Sequence, residues 1–235
     1  MPDPERVRSM FARIAPRYDL LNRVLSAGID QRWRRALLAR ASPVVGRDVV
    51  DVCCGTGDIA LSFARAGGRV VGVDFTDEML HLARKKAVRR AQDAAPLFVR
   101  GDALLLPLAS ASTDVCSVGF GIRNVADPAA MLREMARVLR PGGLALVLEF
   151  GVPRGAVLSR VYRAYFTRCL PTVGGLVSRD RSAYEYLPRT VLAWPAPEEF
   201  QSWMERAGLE RCGFRVLSRG IACLHWGHVP AIRTT

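Results

Sequence analysis

Three short apolar runs that each stop at an aspartate constrain this chain more than any other feature. They are Val49-Val50-Asp51, Val70-Val71-Gly72-Val73-Asp74 and Leu97-Phe98-Val99-Arg100-Gly101-Asp102. β-Branched residues favour extended backbone, and unbroken apolar runs of this length mark strands buried on both faces. The intervals at about 58–67 and 76–92 carry helical spacing instead. Strands alternating with helices form βαβ units, hence a mainly parallel sheet with helices on both faces. Ligands of such sheets bind outside the carboxyl ends of the strands, so Asp51, Asp74 and Asp102 would line one crevice.

The turn after the first run, Cys53-Cys54-Gly55-Thr56-Gly57-Asp58, points to what that crevice holds. Gly55 and Gly57 let backbone approach a ligand closely, as a nucleoside-cofactor loop requires. Gly55-Thr56-Gly57-Asp58-Ile59-Ala60 also fits the looser dinucleotide fingerprint. Asp51 and Asp58 would repel a pyrophosphate, however, whereas the ammonium and sulfonium of S-adenosylmethionine would be attracted to them. Asp74 can grip both ribose hydroxyls, a feature common to either cofactor. Asp102 can accept from an adenine amine, with apolar neighbours sandwiching the ring. A tight turn with no ligand is the competing explanation for the loop taken alone.

Further strands are expected at about 113–119 and 143–150, and helices at 4–15, 30–41 and 127–139. Pro141-Gly142-Gly143 should stop the last of these helices and turn it into the fifth strand. Residues 151–195 read as an irregular, aromatic-rich insertion, followed by a helix near 197–207 and two antiparallel strands at 209–217 and 219–227. The expectation is one domain: a helical lid over 1–42, a cofactor core over 43–150, the insertion, and a closing segment over 196–235. Half of the 235 residues are apolar, ample for such a core. The absence of a long uncharged apolar run and of an apolar leader region points to the cytoplasm.

Cysteines 53, 54, 116, 169, 212 and 223 show no zinc spacing and read as reduced, mostly buried residues. His225 and His228 lack further ligands, so no metal is expected. The net charge of +12 seeks anions, either nucleic acid or the negative face of a membrane, and an arginine-rich genome accounts for it equally well.

Longer stretches narrow the choice. Tyr18-Asp19-Leu20-Leu21-Asn22-Arg23-Val24-Leu25-Ser26-Ala27-Gly28-Ile29-Asp30-Gln31-Arg32-Trp33, the segment from Arg137 to Gly151, and Gly119-Phe120-Gly121-Ile122-Arg123-Asn124-Val125 together resemble the ubiquinone/menaquinone biosynthesis C-methyltransferase family. The likeness spans Val7 to Pro230. It departs at Leu21, Asp30, Arg140 and Gly151, where the family usually has Met, His, Lys and Ser, and at Asp102 and Gly119, where many members have Asn and Ser.

The resemblance implies a class I S-adenosylmethionine-dependent methyltransferase, Rossmann-like, with a mainly parallel seven-stranded sheet. Its cofactor contacts would be Asp51, Gly55, Thr56, Gly57, Asp74, Asp102 and Ala103, with Gly119 as a backbone neighbour. The acceptor would be a ring carbon of a prenylated hydroquinone, demethylmenaquinol in preference to the benzoquinol precursor of ubiquinone. Arg123 and Asn124 are the candidates for stabilising a phenolate-like oxygen or orienting a water; Asp19 is a second candidate base, and Tyr18 shapes the closed site. Glu149 either reaches the pocket or holds Arg123. Tyr162, Tyr165, Phe166, Leu170, Leu176 and Val177, interleaved with Arg160, Arg163, Arg168 and Arg179, would take the prenyl tail and meet a membrane surface peripherally. No nucleic-acid partner is expected, and apolar surface on the insertion is compatible with a homodimer. Methylation of RNA or a small phenol, and a non-catalytic quinone-binding or membrane-binding role, are the alternatives from other classes.

Overall fold

A computed structural model describes residues 3–89, 95–155, 159, 160, 162, 164, 167 and 181–231. Its centre is one seven-stranded sheet: β1 (Asp48–Val52), β2 (Arg69–Asp74), β3 (Leu97–Arg100), β4 (Thr113–Gly119), β5 (Leu139–Phe150), β6 (Glu210–Leu217) and β7 (Ala222–His228). The order across the sheet is β3-β2-β1-β4-β5-β7-β6. β7 alone runs antiparallel to its neighbours, pairing with β5 on one side and β6 on the other. The chain leaves β1 toward β2 and β3, then crosses back to place β4 on the other side of β1. The C-terminal ends of β1 and β4 therefore flank the point where the strand order reverses.

Eight helices lie among the described residues: α1 (Pro4–Ile14), α2 (Tyr18–Leu25), α3 (Asp30–Ala41), α4 (Asp58–Arg65), α5 (Asp77–Arg89), α6 (Pro128–Val138), α7 (Arg181–Leu192) and α8 (Pro197–Arg206). Strand alternation divides the core between the two faces. Val49, Val70, Val115, Leu144 and Leu146 pack with α3 and α4 through Leu37, Leu61 and Phe63. Val50, Val73, Cys116, Val118 and Val147 pack on the other face with α6 and α8 through Met131, Met135, Phe200 and Met204. Met10, Ile14, Leu21, Tyr162 and Val191 form a third cluster above the carboxyl edge, joining the N-terminal helices to α7.

Three expectations change. The segment 18–25 is a helix of its own, preceded by a short 3-10 turn at Ala15–Arg17. Residues Arg181–Leu192 are helical, so 151–195 is not irregular throughout. Helix α6 ends at Val138 and β5 starts at once, with Pro141-Gly142-Gly143 inside the strand as an irregularity: Thr113 pairs with Leu139 but Val115 with Leu144. Gly142 takes φ +79 there, which glycine tolerates. Arg140 explains why that stretch stays extended, since its guanidinium spans Asp114 at 2.8 Å and Asp48 at 2.9 Å and ties β5 to β4 and β1. A lysine could bond as a point charge but could not fork between two carboxylates in this way.

Candidate active site

The first cavity opens at the carboxyl ends of β1, β2 and β4, bounded among others by Gly55, Asp74, Met79, Asp102, Ala103 and Gly119. Asp74 is its organiser. One carboxylate oxygen accepts the Gly55 N–H at 2.8 Å and the other accepts the Thr76 N–H at 2.9 Å. Each oxygen keeps a lone pair for a ligand. Burial raises the Asp74 pKa, opposed by those backbone bonds. Asp102 stands exposed at the rim, its carboxylate accepting the Leu104 N–H at 2.9 Å. A Cβ on Gly119 would collide with the Ile59 side chain, so this wall is bare backbone. Gly57 serves packing instead: at φ +79, its Cβ would meet the Phe98 ring at 2.8 Å.

Three residues expected to touch the cofactor face into the protein. Asp51 is 1% exposed, accepts from Ser117 Oγ at 2.8 Å and Ala60 N–H at 3.1 Å, and borders neither cavity described here. Its carboxylate joins β4 to the start of α4, a role set by a partner 66 positions away. Gly57 likewise lies behind the loop rather than along the cavity. Thr56 is buried, with its hydroxyl donating to Asp19 at 2.5 Å and accepting from Lys86 Nζ at 3.0 Å.

Asp51 carries a measurable signature. Burial lifts its pKa from 3.8 to about 7. Between those values the unfolded chain releases a proton that the folded chain keeps. Its contribution to stability is therefore full below about pH 3.8 and is lost as pH rises through about 7. Asp51→Asn should flatten the stability curve across that window relative to the parent, a difference that paired urea titrations at several pH values would record.

Asp19 is held on the cofactor-loop side. Lys86 Nζ lies 2.7 Å from Asp19 and 2.7 Å from Asp58, while Arg34 bonds Asp58 and approaches Asp30 at 3.4 Å. This chain of charges fastens α2 and α3 to the loop after β1. Lys86→Met should loosen α2 from the loop and lower stability by about 1 kcal/mol, because Asp58 keeps Arg34 while Asp19 loses its cation. Thermal melts would show this as a fall of about 2–4 °C.

The second cavity lies between the N-terminal helices and the sheet. It offers about 370 Å³, within the ~300–1,000 Å³ range of small-molecule sites. Met10, Ile14, Leu21 and Trp33 make it apolar; Phe11, Tyr18 and Phe120 border both cavities. Phe120 stacks tilted on Phe150 at 4.5 Å, and Trp33 meets both rings at 5.9 and 6.0 Å. Phe120 has φ +60, an uncommon conformation for a bulky residue, of the kind that clusters at ligand sites.

Arg123 is the buried charge of this aromatic box. Its Nη1 donates to Glu149 at 2.5 Å and to the Phe120 carbonyl at 2.8 Å, and its guanidinium lies 5.1 Å from the Phe150 ring centre. Glu149 is 1% exposed; burial raises its pKa and the Arg123 charge opposes that rise. Asn124 donates to the Phe120 carbonyl at 3.3 Å and borders the first cavity. Arg123 Nε, Asn124 Oδ1 and Glu149 Oε2 are buried without hydrogen-bond partners among the described residues. Such atoms are rare in folded proteins, and Arg123, which borders the second cavity, offers a place for a polar group on an otherwise apolar ligand. Tyr18 is pushed to a higher pKa by burial, so it sits between the cavities as a neutral hydroxyl. Asp30 accepts from Ser26 Oγ at 2.9 Å and borders the second cavity.

Phe11, Phe120, Phe150 and the lid methionine Met10 went unassigned in the sequence. Helical spacing of Tyr18, Leu21 and Leu25 was the available signal for α2. Tyr162 is buried beside the cavity and Arg160 is exposed, but Tyr165, Phe166, Leu170, Leu176, Val177, Arg163, Arg168 and Arg179 lie outside the described residues. His225 and His228 are β7 residues, and no group of three His, Cys, Asp or Glu able to hold a metal occurs among the described residues.

The model of the ubiE/COQ5 methyltransferase family matches residues 2–229. The chain is 48% identical over 220 residues to the demethylmenaquinone methyltransferase of Deinococcus radiodurans, covering 93% of this chain and 90% of that one. It is 43% identical over 232 residues to the ubiquinone/menaquinone biosynthesis C-methyltransferase UbiE of Geobacter sulfurreducens, covering 95% and 88%. Among solved structures, the 4+2 cyclase SpnF superposes with a TM-score of 0.73 at 18% identity, covering 98% of this chain and 97% of that one, a likeness of fold alone.

Proposed function

We propose, since this chain belongs to the ubiE/COQ5 methyltransferase family, that it methylates a ring carbon of demethylmenaquinol with S-adenosylmethionine as its cofactor. The observation that carries this is the pair of adjoining cavities, one edged by carboxylates and the other aromatic with a buried arginine, which share Phe11, Tyr18 and Phe120.

S-adenosylmethionine supplies an electrophilic methyl group on a sulfonium. The first cavity fits it chemically: Asp74 offers free lone pairs to the ribose, Asp102 lies in reach of the adenine edge, and Ala103, Leu104 and Met79 provide apolar walls. Gly55 and Gly119 expose backbone where the methionyl part and the sulfonium must approach. Asp51, Thr56 and Gly57 support the loop from behind.

In the second cavity a quinol ring would lie among Trp33, Phe120 and Phe150, with one hydroxyl toward Arg123. An aromatic carbon becomes a competent nucleophile when a neighbouring hydroxyl loses its proton and charge spreads onto the ring. Arg123 stabilises that oxygen, and Glu149 holds the guanidinium in place. Asn124 Oδ1, free to accept on the first-cavity side, would orient a water that takes the proton. Tyr18 sits at the junction and keeps the ring carbon facing the methyl group. Holding these atoms about 3–3.5 Å apart removes much of the entropic barrier. The carbon–carbon bond would form as the methyl–sulfur bond breaks, its electron pair staying on a neutral thioether sulfur, and the ring carbon would then lose a proton to water as aromaticity returns. Asp19, with its carboxylate engaged by Lys86 and Thr56, anchors the lid rather than taking the proton.

No helix among the described residues is long and apolar enough to cross a membrane. A prenylated substrate nevertheless resides in a bilayer, so the net charge of +12 supports peripheral docking on its negative inner face, as a monomer or a homodimer. Flotation with anionic vesicles should carry the protein at low salt and release it at high salt.

Transfer of labelled methyl to demethylmenaquinol and to the corresponding benzoquinol, assayed side by side in detergent, tests the assignment. Label on the naphthoquinol is expected. Label on the benzoquinol alone would reassign the acceptor, and transfer to neither with cofactor binding intact would overturn it.

A further inference from the structure

One polar group in the acceptor cavity has no task in the scheme above. Tyr186, on α7, borders the second cavity, and its hydroxyl oxygen is buried with no hydrogen-bond partner among the described residues. Burying an unpaired hydroxyl costs stability, and native structures seldom keep one without a reason. Its surroundings give that reason a sign. Arg123 and Arg189 exert attractive fields on a negative oxygen there and Glu149 an opposing one, while Arg189 also stands 5.8 Å from the Tyr186 ring centre. Burial raises the Tyr186 pKa, so the phenol stays a neutral donor beside a ligand oxygen that ionises. The same place holds the unpaired Arg123 Nε, a second donor without an acceptor. Two buried donors with nothing to donate to, on two elements that border one apolar cavity, describe a site for a ligand oxygen that carries charge.

We propose that Tyr186 contacts the substrate, its O–H donating to the ring oxygen of the quinol that is ionised during methyl transfer, the same oxygen that faces Arg123. This rests on the quinol reading of the second cavity. It adds a donor from α7 to a site whose other polar groups come from the sheet edge and the lid. It also gives α7 a part in the chemistry. The other titratable groups bordering that cavity are Tyr18 from α2, Asp30 and Arg34 from α3, and Tyr162, with Glu149 of β5 paired to Arg123.

Tyr186→Phe removes the hydroxyl and keeps the ring. The variant should melt at the parent temperature or slightly above it and should bind S-adenosylmethionine unchanged. Its kcat should fall about 10- to 100-fold, the loss expected for one hydrogen bond to a charged oxygen. The rising limb of its kcat–pH profile should move to higher pH, because the quinolate has lost a donor. Anaerobic calorimetry with 1,4-naphthohydroquinone, which requires no methyl transfer, should show weaker binding than in the parent. Equal kcat, pH profile and hydroquinone affinity would overturn the proposal, as would a lowered melting temperature with an unmoved pH profile. Tighter hydroquinone binding by the parent without methyl transfer would uphold the contact and sink the methyltransferase assignment. A parent that binds no hydroquinone would overturn both.

Discussion

Asp74→Ala should weaken S-adenosylmethionine binding by about 10²- to 10⁴-fold. Two ribose hydroxyls donating to one carboxylate contribute roughly 1.5–3 kcal/mol each, and every 1.4 kcal/mol is a factor of ten in affinity. The same carboxylate fixes the Gly55 and Thr76 amides, so its loss also frees the loop that shapes the cavity. Stability should change far less than affinity. The alanine relieves a buried charge whose pKa burial already raises, which offsets the two lost backbone bonds. Asp74→Asn separates the effects, since its single acceptor oxygen can still hold one amide and one ribose hydroxyl. Calorimetric titration measures both variants, and an Asp74→Ala affinity within a few-fold of the parent would remove this residue from the cofactor site.

Glu149→Ala should cost about 3–5 kcal/mol of folding stability, the penalty for leaving one partner of a buried ion pair alone. The Arg123 guanidinium would remain among Phe120, Phe150 and Trp33 with only the Phe120 carbonyl to accept from it. For a chain of this size that corresponds to a melting temperature lower by about 6–20 °C. Replacing both residues by methionine should recover much of that loss, because a well-packed apolar pair avoids the desolvation penalty. The double variant should nevertheless have no measurable turnover. Recovery of both stability and activity would exclude Arg123 from the reaction, and a Glu149→Ala protein as stable as its parent would mean that the pair is not buried in solution.

The sheet was legible because β-branched runs and glycine turns record it locally: Val49–Val52, Arg69–Asp74 and Thr113–Gly119 announce themselves without reference to the rest of the chain. The strand-end acids were legible as a set, and Asp74 and Asp102 do face the crevice. Asp51 does not, because the direction of a side chain at a strand end follows the pleat and a partner, Ser117, on a strand joined only through tertiary structure. Thr56 was obscured in the same way by Asp19 and Lys86, distant in sequence and adjacent in space. Arg140 and Pro141-Gly142-Gly143 combine a helix-stopping pattern with two cross-strand ion pairs, and the pairs decided the outcome in favour of an extended strand. Helices α2 and α7 bury apolar faces against each other's neighbours rather than on the sheet, so no strand-helix rhythm betrayed them. The Arg123–Glu149 pair was foreseen as one of two roles for Glu149, and the short distance between them selects it.

The tie between Asp19 and Thr56 has a kinetic meaning. Helix α2 carries Asp19 on the cofactor loop and, one residue earlier, Tyr18 in the wall between the two cavities. Movement of α2 away from that loop would therefore open both cavities together. Exchange of an occupant at one cavity would then be coupled to exchange at the other.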